Sequence, residues 1–364
     1  MMDIDLKNEN AQSFSEKLNI ADKKELSAII QNFFVEAPRE KQDTLMNFAN
    51  ELREKYYERK VYFRALLEFS NYCKNDCYYC GLQRSNRKVN RYRLSAEEIL
   101  ACCKEGYSLG FRTFVLQSGE DSYYTDALLC RLVAQIKESY PDCAVTLSVG
   151  ERSYSSYQQL YAAGADRYLL RHETADEVHY RKLHPSELSL QKRQECLYNL
   201  KEIGFQVGAG FMVDSPFQTY ETLAADLIFL RELQPHMIGI GPFIPHADTR
   251  FAGYYKPTSH RTLVMLSLVR SMLPKVLLPA TTALGSVDEK GREKGLRVGA
   301  NVVMPNLSPV AHRLDYSLYD NKVSMGWEAA EYLPDLSRHL KTIGFIPDFS
   351  RGDYVDLQKK DETL

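Results

Sequence analysis

Three cysteines lie in the run Leu67-Glu-Phe-Ser-Asn-Tyr-Cys-Lys-Asn-Asp-Cys-Tyr-Tyr-Cys80, spaced C-x3-C-x2-C. A loop of this length can wrap three thiolates around one inorganic cluster, and it offers no nearby fourth. A [4Fe-4S] cube held by Cys73, Cys77 and Cys80 has one iron without a protein ligand. That iron is free to bind a small molecule, whereas electron carriers normally use four protein ligands. Zinc is the alternative for the same thiols, but it wants a fourth ligand and more often takes C-x2-C or C-x3-H pairs. The other five cysteines (Cys102, Cys103, Cys130, Cys143 and Cys196) show no metal-ligand spacing and read as small buried hydrophobes.

The rest of the composition narrows the class. A net charge of −2 gives neither a nucleic-acid footprint nor a polybasic membrane anchor. No apolar run approaches the ~18 residues needed to span a bilayer. The opening Met-Met-Asp-Ile-Asp-Leu-Lys-Asn-Glu-Asn lacks the basic and apolar regions of a secretory signal. The expected location is the cytoplasm, where thiols stay reduced.

No low-complexity tract or Pro/Ser-rich linker divides the 364 residues. Residues 1–60 read as an N-terminal helical flank, with apolar residues at helical spacing over Ala21–Phe34 and Lys41–Tyr57 and Pro38 between them. From residue 61 onward, β-rich apolar runs alternate with amphipathic stretches. The predicted strands are Val61–Phe69, Thr113–Gln117, Ala144–Val149, Arg167–Arg171, Gln206–Val213, Met237–Gly241, Lys275–Thr282 and Ala300–Pro305. Helical patterns open near Ser95, Thr125, Tyr154, Leu190, Thr219, Thr258, Gly285 and Ser308, with Ser95-Ala-Glu-Glu98 as a capping box. Eight such units over residues 61–323 predict a (β/α)8 barrel of the TIM type, in the α/β class, followed by a helical C-terminal extension over 324–364. A doubly wound sheet is the runner-up. Its dinucleotide-binding form is weakened because no G-x-G-x-x-G follows the first strand, and Gly208-Ala-Gly210 falls inside a strand.

In a barrel, sites form at the C-terminal ends of the strands. The cysteine loop follows the first strand and Gln117-Ser-Gly-Glu-Asp121 the second, while Ser148-Val-Gly-Glu-Arg152 ends the third and Arg171-His-Glu-Thr174 the fourth. Phe243-Ile-Pro-His-Ala-Asp248 follows the sixth, Thr281-Thr282 ends the seventh and Met304-Pro-Asn306 the eighth. Polar residues therefore gather at the rim that carries the cysteines.

These residues carry a family pattern. C-x3-C-x2-C after the first barrel strand, with Tyr79 before the third cysteine, resembles the radical S-adenosylmethionine superfamily. Within it, four stretches are similar to the E-type H-cluster maturases of FeFe-hydrogenases. They are Ala165-Asp-Arg-Tyr-Leu-Leu-Arg-His-Glu-Thr-Ala175, Gly239-Ile-Gly-Pro-Phe-Ile-Pro-His246, Pro279-Ala-Thr-Thr-Ala283 and Gly299-Ala-Asn-Val-Val-Met-Pro-Asn306. The resemblance covers roughly residues 60 to 345. It implies that the open iron chelates the amino and carboxylate groups of S-adenosylmethionine. One electron then cleaves the sulfonium C–S bond to give methionine and a 5′-deoxyadenosyl radical, while the barrel positions the cofactor and excludes water.

The resemblance further implies that Cys73, Cys77 and Cys80 ligate iron and that Tyr79 packs near the adenine. Gln117, Ser118, Thr146, Ser148, Glu173 and Arg193 match positions lining the cofactor site or cavity. Glu173 is suited to the ammonium of S-adenosylmethionine and Arg193 to its carboxylate. Met237, Thr281, Thr282, Met304, Tyr316 and Tyr319 match the substrate side. The implied role is assembly of the diiron subcluster of FeFe-hydrogenase, on a cysteine-derived iron–carbonyl–cyanide precursor delivered by another maturase. The electron would come from a low-potential donor of the ferredoxin or flavodoxin type.

Plainer readings stand beside these. Met237 and Met304 fit core packing, Arg193 a solvated helix face, and Arg171 with Glu173 a structural ion pair. His172, His246 and His312 are candidate proton donors or structural residues. Related enzymes read Met-Val-Gly-x-Pro-Gly-Gln-Thr after the fifth strand; here Asp214 and Phe217 replace the glycines, which is expected to alter that turn. Some maturases carry a second cysteine set near the C-terminus. No cysteine follows Cys196, so one cluster is expected. The rival functions are an enzyme similar to methylornithine synthase or biotin synthase acting on an organic substrate, a non-catalytic iron–sulfur protein, and a zinc-stabilised barrel.

Overall fold

The computed structural model describes residues 6, 9–323, 326 and 329–361. Its strands are β1 (Lys60–Phe63), β2 (Ala65–Ser70), β3 (Thr113–Ser118), β4 (Ala144–Ser148), β5 (Arg167–Leu169), β6 (Gln206–Val213), β7 (Met237–Pro242), β8 (Val302–Val303) and β9 (Ile346–Asp348). Three helices precede them: α1 (Ala11–Ile20), α2 (Lys23–Gln31) and α3 (Arg39–Tyr57). Between the strands run α4 (Ala96–Ser108), α5 (Asp126–Ser139), α6 (Tyr154–Ala162), α7 (Glu177–Leu183), α8 (Leu190–Ile203), α9 (Tyr220–Leu233), α10 (Ser259–Met272), α11 (Thr282–Val287) and α12 (Gly291–Arg297). Two more, α13 (Leu333–Thr342) and α14 (Val355–Asp361), flank β9.

Strands β2 to β7 form one parallel sheet in sequence order, and β8, β1 and β9 a second. Bridges Met237↔Leu277, Pro279↔Val302 and Leu66↔Asn306 join the two into a closed eight-fold barrel. Two predicted strands differ from expectation. Val61–Phe69 is split at Arg64, because its first part pairs with β8 and β9 and its second with β3, a stagger that barrel closure imposes. Lys275–Thr282 makes only isolated bridges, since Pro279 has no N–H to give a ladder. The helix expected from Ser308 is only a 3-10 turn, Val310–His312, opened by Pro309. The capping box Ser95/Glu98 at the start of α4 is formed as expected.

Helices α1 and α3 pack on α10 and α2 on α9, so the N-terminal flank lies against the outer helical layer. The C-terminal segment is not purely helical. After β9 it crosses the N-terminal end of the barrel, where Arg351 O accepts from Thr113 Oγ1 (2.8 Å) and Arg167 Nη2 (2.7 Å), and Gly352 O from Arg64 Nη2 (3.2 Å). Asp353 pairs with Arg167, Arg351 and Gln206, and this plug leaves the cysteine-bearing end as the open one.

Burial alone would raise the Asp353 carboxyl, but Arg167 and Arg351 beside it win and hold it well below the usual carboxylate range. Its stabilisation is therefore complete above about pH 4 and is lost as pH falls below that range. Asp353→Ala is expected to cost about 3 kcal/mol at pH 7, because buried Arg167 is left unpaired. Urea titrations at pH 7 and pH 3 should show the gap between parent and variant narrowing at the lower pH. An equal gap at both would remove the ion pair as its cause.

Candidate active site

The cysteine loop leaves β2 and is fastened by backbone groups. Lys74 N–H donates to Glu120 O (2.9 Å), Tyr78 N–H to Leu183 O (2.9 Å) and Gly81 N–H to Leu318 O (2.9 Å). The Arg91 guanidinium donates to the carbonyls of Leu82 (3.0 Å), Gln83 (2.8 Å) and Asn86 (3.2 Å), and also to that of Asn71. Gly119 permits the close approach of the β3 rim: a Cβ there would lie 2.2 Å from Tyr72 O and 2.8 Å from Cys73 Cβ. The three thiols are free and partly exposed, and they face a cavity of about 310 Å³, within the range of small-molecule sites.

Cys73, Cys77, Tyr79, Cys80, Gln117, Ser118, Ser148, Glu173, Arg193, Thr281, Tyr316 and Tyr319 all line this cavity. Small residues on β7 leave room for it. Gly241 is part of the lining, and a Cβ on Gly239, two residues earlier, would meet nothing closer than 3.9 Å. Thr146 and Met237 are not brought there. They line a separate small cavity with Arg64 and Arg167 toward the plugged end. The strand period explains Thr146, which shares a strand face with Ser148 but sits one layer, ~6–7 Å, deeper. Met304 packs against the cluster of Met237, Leu277 and Val302, and Thr282 opens α11; neither is part of the lining.

The polar geometry is specific. Arg193, on α8 and buried, holds Glu151 (Nε–Oε1, 2.8 Å) and lies 3.6 Å from Glu120, whose other oxygen is 3.3 Å from Lys74. Glu120 and Glu151 were not singled out from sequence. The signal was present, since Gly119-Glu120 and Gly150-Glu151 repeat just past two successive strands. Burial raises the Glu151 carboxyl above its usual range, with Arg193 opposing. Glu173 Oε2 lies 3.0 Å from Arg171 Nη2, so the anticipated ion pair is formed, and both side chains face the cavity. Tyr79 Oη is 3.3 Å from His184 Nε2, and Gln117 Nε2 donates to Tyr316 Oη at 3.4 Å.

The other expectations resolve individually. His172 is fully buried, His246 Nδ1 accepts from Asp248 N–H (3.1 Å), and His312 stacks on Tyr92 (4.4 Å); none of the three lines the cavity. Asp214 and Phe217 both have positive φ, at 61° and 65°, a region that glycine enters more cheaply. The strain is offset locally. Gln218 accepts from Asp214 N–H (2.7 Å), Arg261 binds the Asp214 carboxylate (2.9 Å), and Tyr254 Oη accepts from Phe217 N–H (3.1 Å).

Three free thiols on one loop, facing one cavity, are a donor set that suits a [4Fe-4S] cluster of the kind the radical S-adenosylmethionine superfamily implies. Burial and the neighbouring Cys73 push the Cys80 thiol up to about 12, and burial raises Cys73 and Cys77 as well. Such thiols ionise only when a cationic centre takes the proton's place. No helix of the described residues is long and apolar enough to cross a membrane.

The parallel barrel carries three free cysteines at its open rim beside a cavity, and residues 67–230 match the Radical SAM superfamily model, which makes the chain a radical S-adenosylmethionine enzyme. The chain is 45% identical over 305 residues to the [FeFe] hydrogenase maturase subunit HydE of Thermotoga maritima, covering 84% of this chain and 87% of that one. It belongs to the HydE family within that superfamily. The 3-methylornithine synthase of Methanosarcina barkeri is 29% identical over 84% of this chain and 85% of its own length. Among solved structures, methylornithine synthase (PylB) superposes with a TM-score of 0.78 at 26% identity, covering 92% of this chain and 97% of that one. The maturase HydG superposes at 0.75 and 18% identity, over 93% and 79%, which bears on the fold alone.

Proposed function

We propose that the chain holds one [4Fe-4S] cluster at Cys73, Cys77 and Cys80, binds S-adenosylmethionine in the adjoining cavity, and acts in assembly of the diiron subcluster of FeFe-hydrogenase on a cysteine-derived iron–carbonyl–cyanide precursor. The observation that carries this reading is three free thiols opening onto one cavity that also holds Glu173 and Arg193, in a chain 45% identical to a HydE. A bound cluster and cofactor would supply one-electron reductive cleavage of the sulfonium C–S bond, with methionine as the leaving group. The protein's own part is positional. Glu173 offers a carboxylate for the cofactor's ammonium and Arg193 a guanidinium for its carboxylate. Other maturases would deliver the precursor, and a low-potential ferredoxin or flavodoxin the electron. One cluster is proposed because the remaining cysteines are scattered, with Cys102, Cys103, Cys143 and Cys196 buried in the core.

Anaerobic reconstitution followed by electron paramagnetic resonance of the reduced protein is the direct test. Added S-adenosylmethionine should change the cluster signal, and an unchanged signal would remove the open iron. Glu173→Gln should keep the iron and weaken cofactor affinity about tenfold, as loss of one charge-assisted bond does; unchanged affinity would leave Glu173 only its ion pair with Arg171.

The likeness to methylornithine synthase supports a second reading, an organic substrate. Release of 5′-deoxyadenosine with a lysine-type substrate, but not with thiol-bearing or iron-bound ones, would favour it.

A further inference from the structure

The β5–β6 ladder contains an irregularity directly behind Glu173. Leu170 N–H bonds Gly208 O (2.9 Å), and the next rung, to Gly210 O (3.0 Å), comes from Glu173 rather than from His172 two residues on. One extra residue is thus inserted, and Glu173 takes a left-handed φ of 65°. Bulges of this kind re-aim side chains near active sites, and a strained non-glycine residue persists only where its surroundings hold it.

Two buried side chains back the bulge. The ladder acceptor that Gly210 N–H loses there is replaced by His172 Nδ1 (3.4 Å). On the far side, Ala175 N–H donates to Asp226 Oδ1 (2.6 Å), which α9 brings up from behind. His172 Nε2 is 3.3 Å from the same Oδ1, both residues are fully buried, and the imidazole is packed edge-on against Phe229 (4.8 Å). Neither residue lines the cavity, while Arg171 and Glu173, the neighbours on either side of His172, both do. Burial, with Arg171 and Arg193 nearby, lowers the His172 pKa to about 3, so Nδ1 stays available as an acceptor.

We infer that His172 and Asp226 are positioning residues: together they clamp the Arg171–Ala175 bulge so that Glu173 faces the cofactor. This rests on the proposed role of Glu173. Three properties of purified, cluster-reconstituted protein test it: iron per chain, S-adenosylmethionine affinity by equilibrium dialysis, and amide exchange over residues 170–176 and 208–212. Asp226→Ala and His172→Phe remove the acceptors. Each should keep parental iron, exchange at least about tenfold faster in both segments, and bind the cofactor about tenfold more weakly. Asp226→Asn and His172→Asn retain an acceptor atom at the same place and should restore both readouts to within about threefold of the parent.

Parental exchange and affinity in folded Asp226→Ala and His172→Phe would overturn the inference. So would the asparagine variants behaving as badly as those two with their iron intact, which also covers the case in which the harsher variants do not fold. A reconstituted parent that bound no S-adenosylmethionine would instead remove the cofactor reading, and the exchange measurements would still decide the clamp.

Discussion

Cys77→Ala is expected to yield a folded barrel that retains no four-iron cluster and cleaves no S-adenosylmethionine. The loop does not depend on its thiols for shape, because backbone bonds at Lys74, Tyr78 and Gly81 and the Arg91 guanidinium on four carbonyls hold it. Removing one partly exposed thiol is therefore a small structural change, on the order of 1 kcal/mol. Its chemical effect is large. If Cys73, Cys77 and Cys80 are the ligands as proposed, losing one leaves two thiolates, too few to hold the cube. Changes one shell further from a metal already cost about 10–100-fold, so loss of a direct ligand should exceed that range. Iron and sulfide analysis, thermal melting and 5′-deoxyadenosine release check each part. A variant with a full cluster and normal turnover would refute the ligand assignment.

Arg193→Gln is expected to damage both stability and cofactor binding. The guanidinium is buried between Glu151 at 2.8 Å and Glu120 at 3.6 Å, and removing it leaves two carboxylates in a poorly hydrated cavity wall. Breaking a buried pair in this way costs about 3–5 kcal/mol. The pH dependence has a definite sign. Burial already raises the Glu151 carboxyl, and without Arg193 it rises further. A carboxyl whose folded pKa exceeds its unfolded value destabilises at high pH, and the deficit shrinks as pH falls through the folded pKa. Denaturant midpoints should therefore show a larger loss at pH 8 than at pH 5. A pH-independent loss would point to packing of the long side chain instead. Cofactor affinity, measured on variant that still carries iron, should fall by more than tenfold if Arg193 holds the cofactor's carboxylate as proposed.

Much of the architecture was readable along the chain because its signals are local. The alternation of apolar runs with amphipathic stretches reports the βα repeat, and Ser95 with Glu98 marks a helix start within four residues. The cysteine triplet is legible for the same reason, as its members fall within eight residues on one loop. Signals that depend on closure were less accurate. The split at Arg64 follows from how the eighth strand meets the first. Asp214 and Phe217 both sit at positive φ, held there by partners remote in sequence, Arg261 and Tyr254.

The sequence by itself determined which chemistry is available, namely three thiols of cluster spacing on a loop after the first barrel strand, with polar motifs past the strands that follow. Residue type and short-range spacing suffice for that, because the loop is contiguous and each rim motif sits at a predictable strand end. Only the tertiary structure decided depth and partnership. It put Thr146 one layer below Ser148, sent Met237 to the plugged end, surrounded Arg193 with carboxylates from two other loops, and backed Glu173 with His172 and Asp226. The physical reason is that a side chain's height and facing in a barrel depend on strand stagger and bulges, which are set by pairing between segments far apart in the chain.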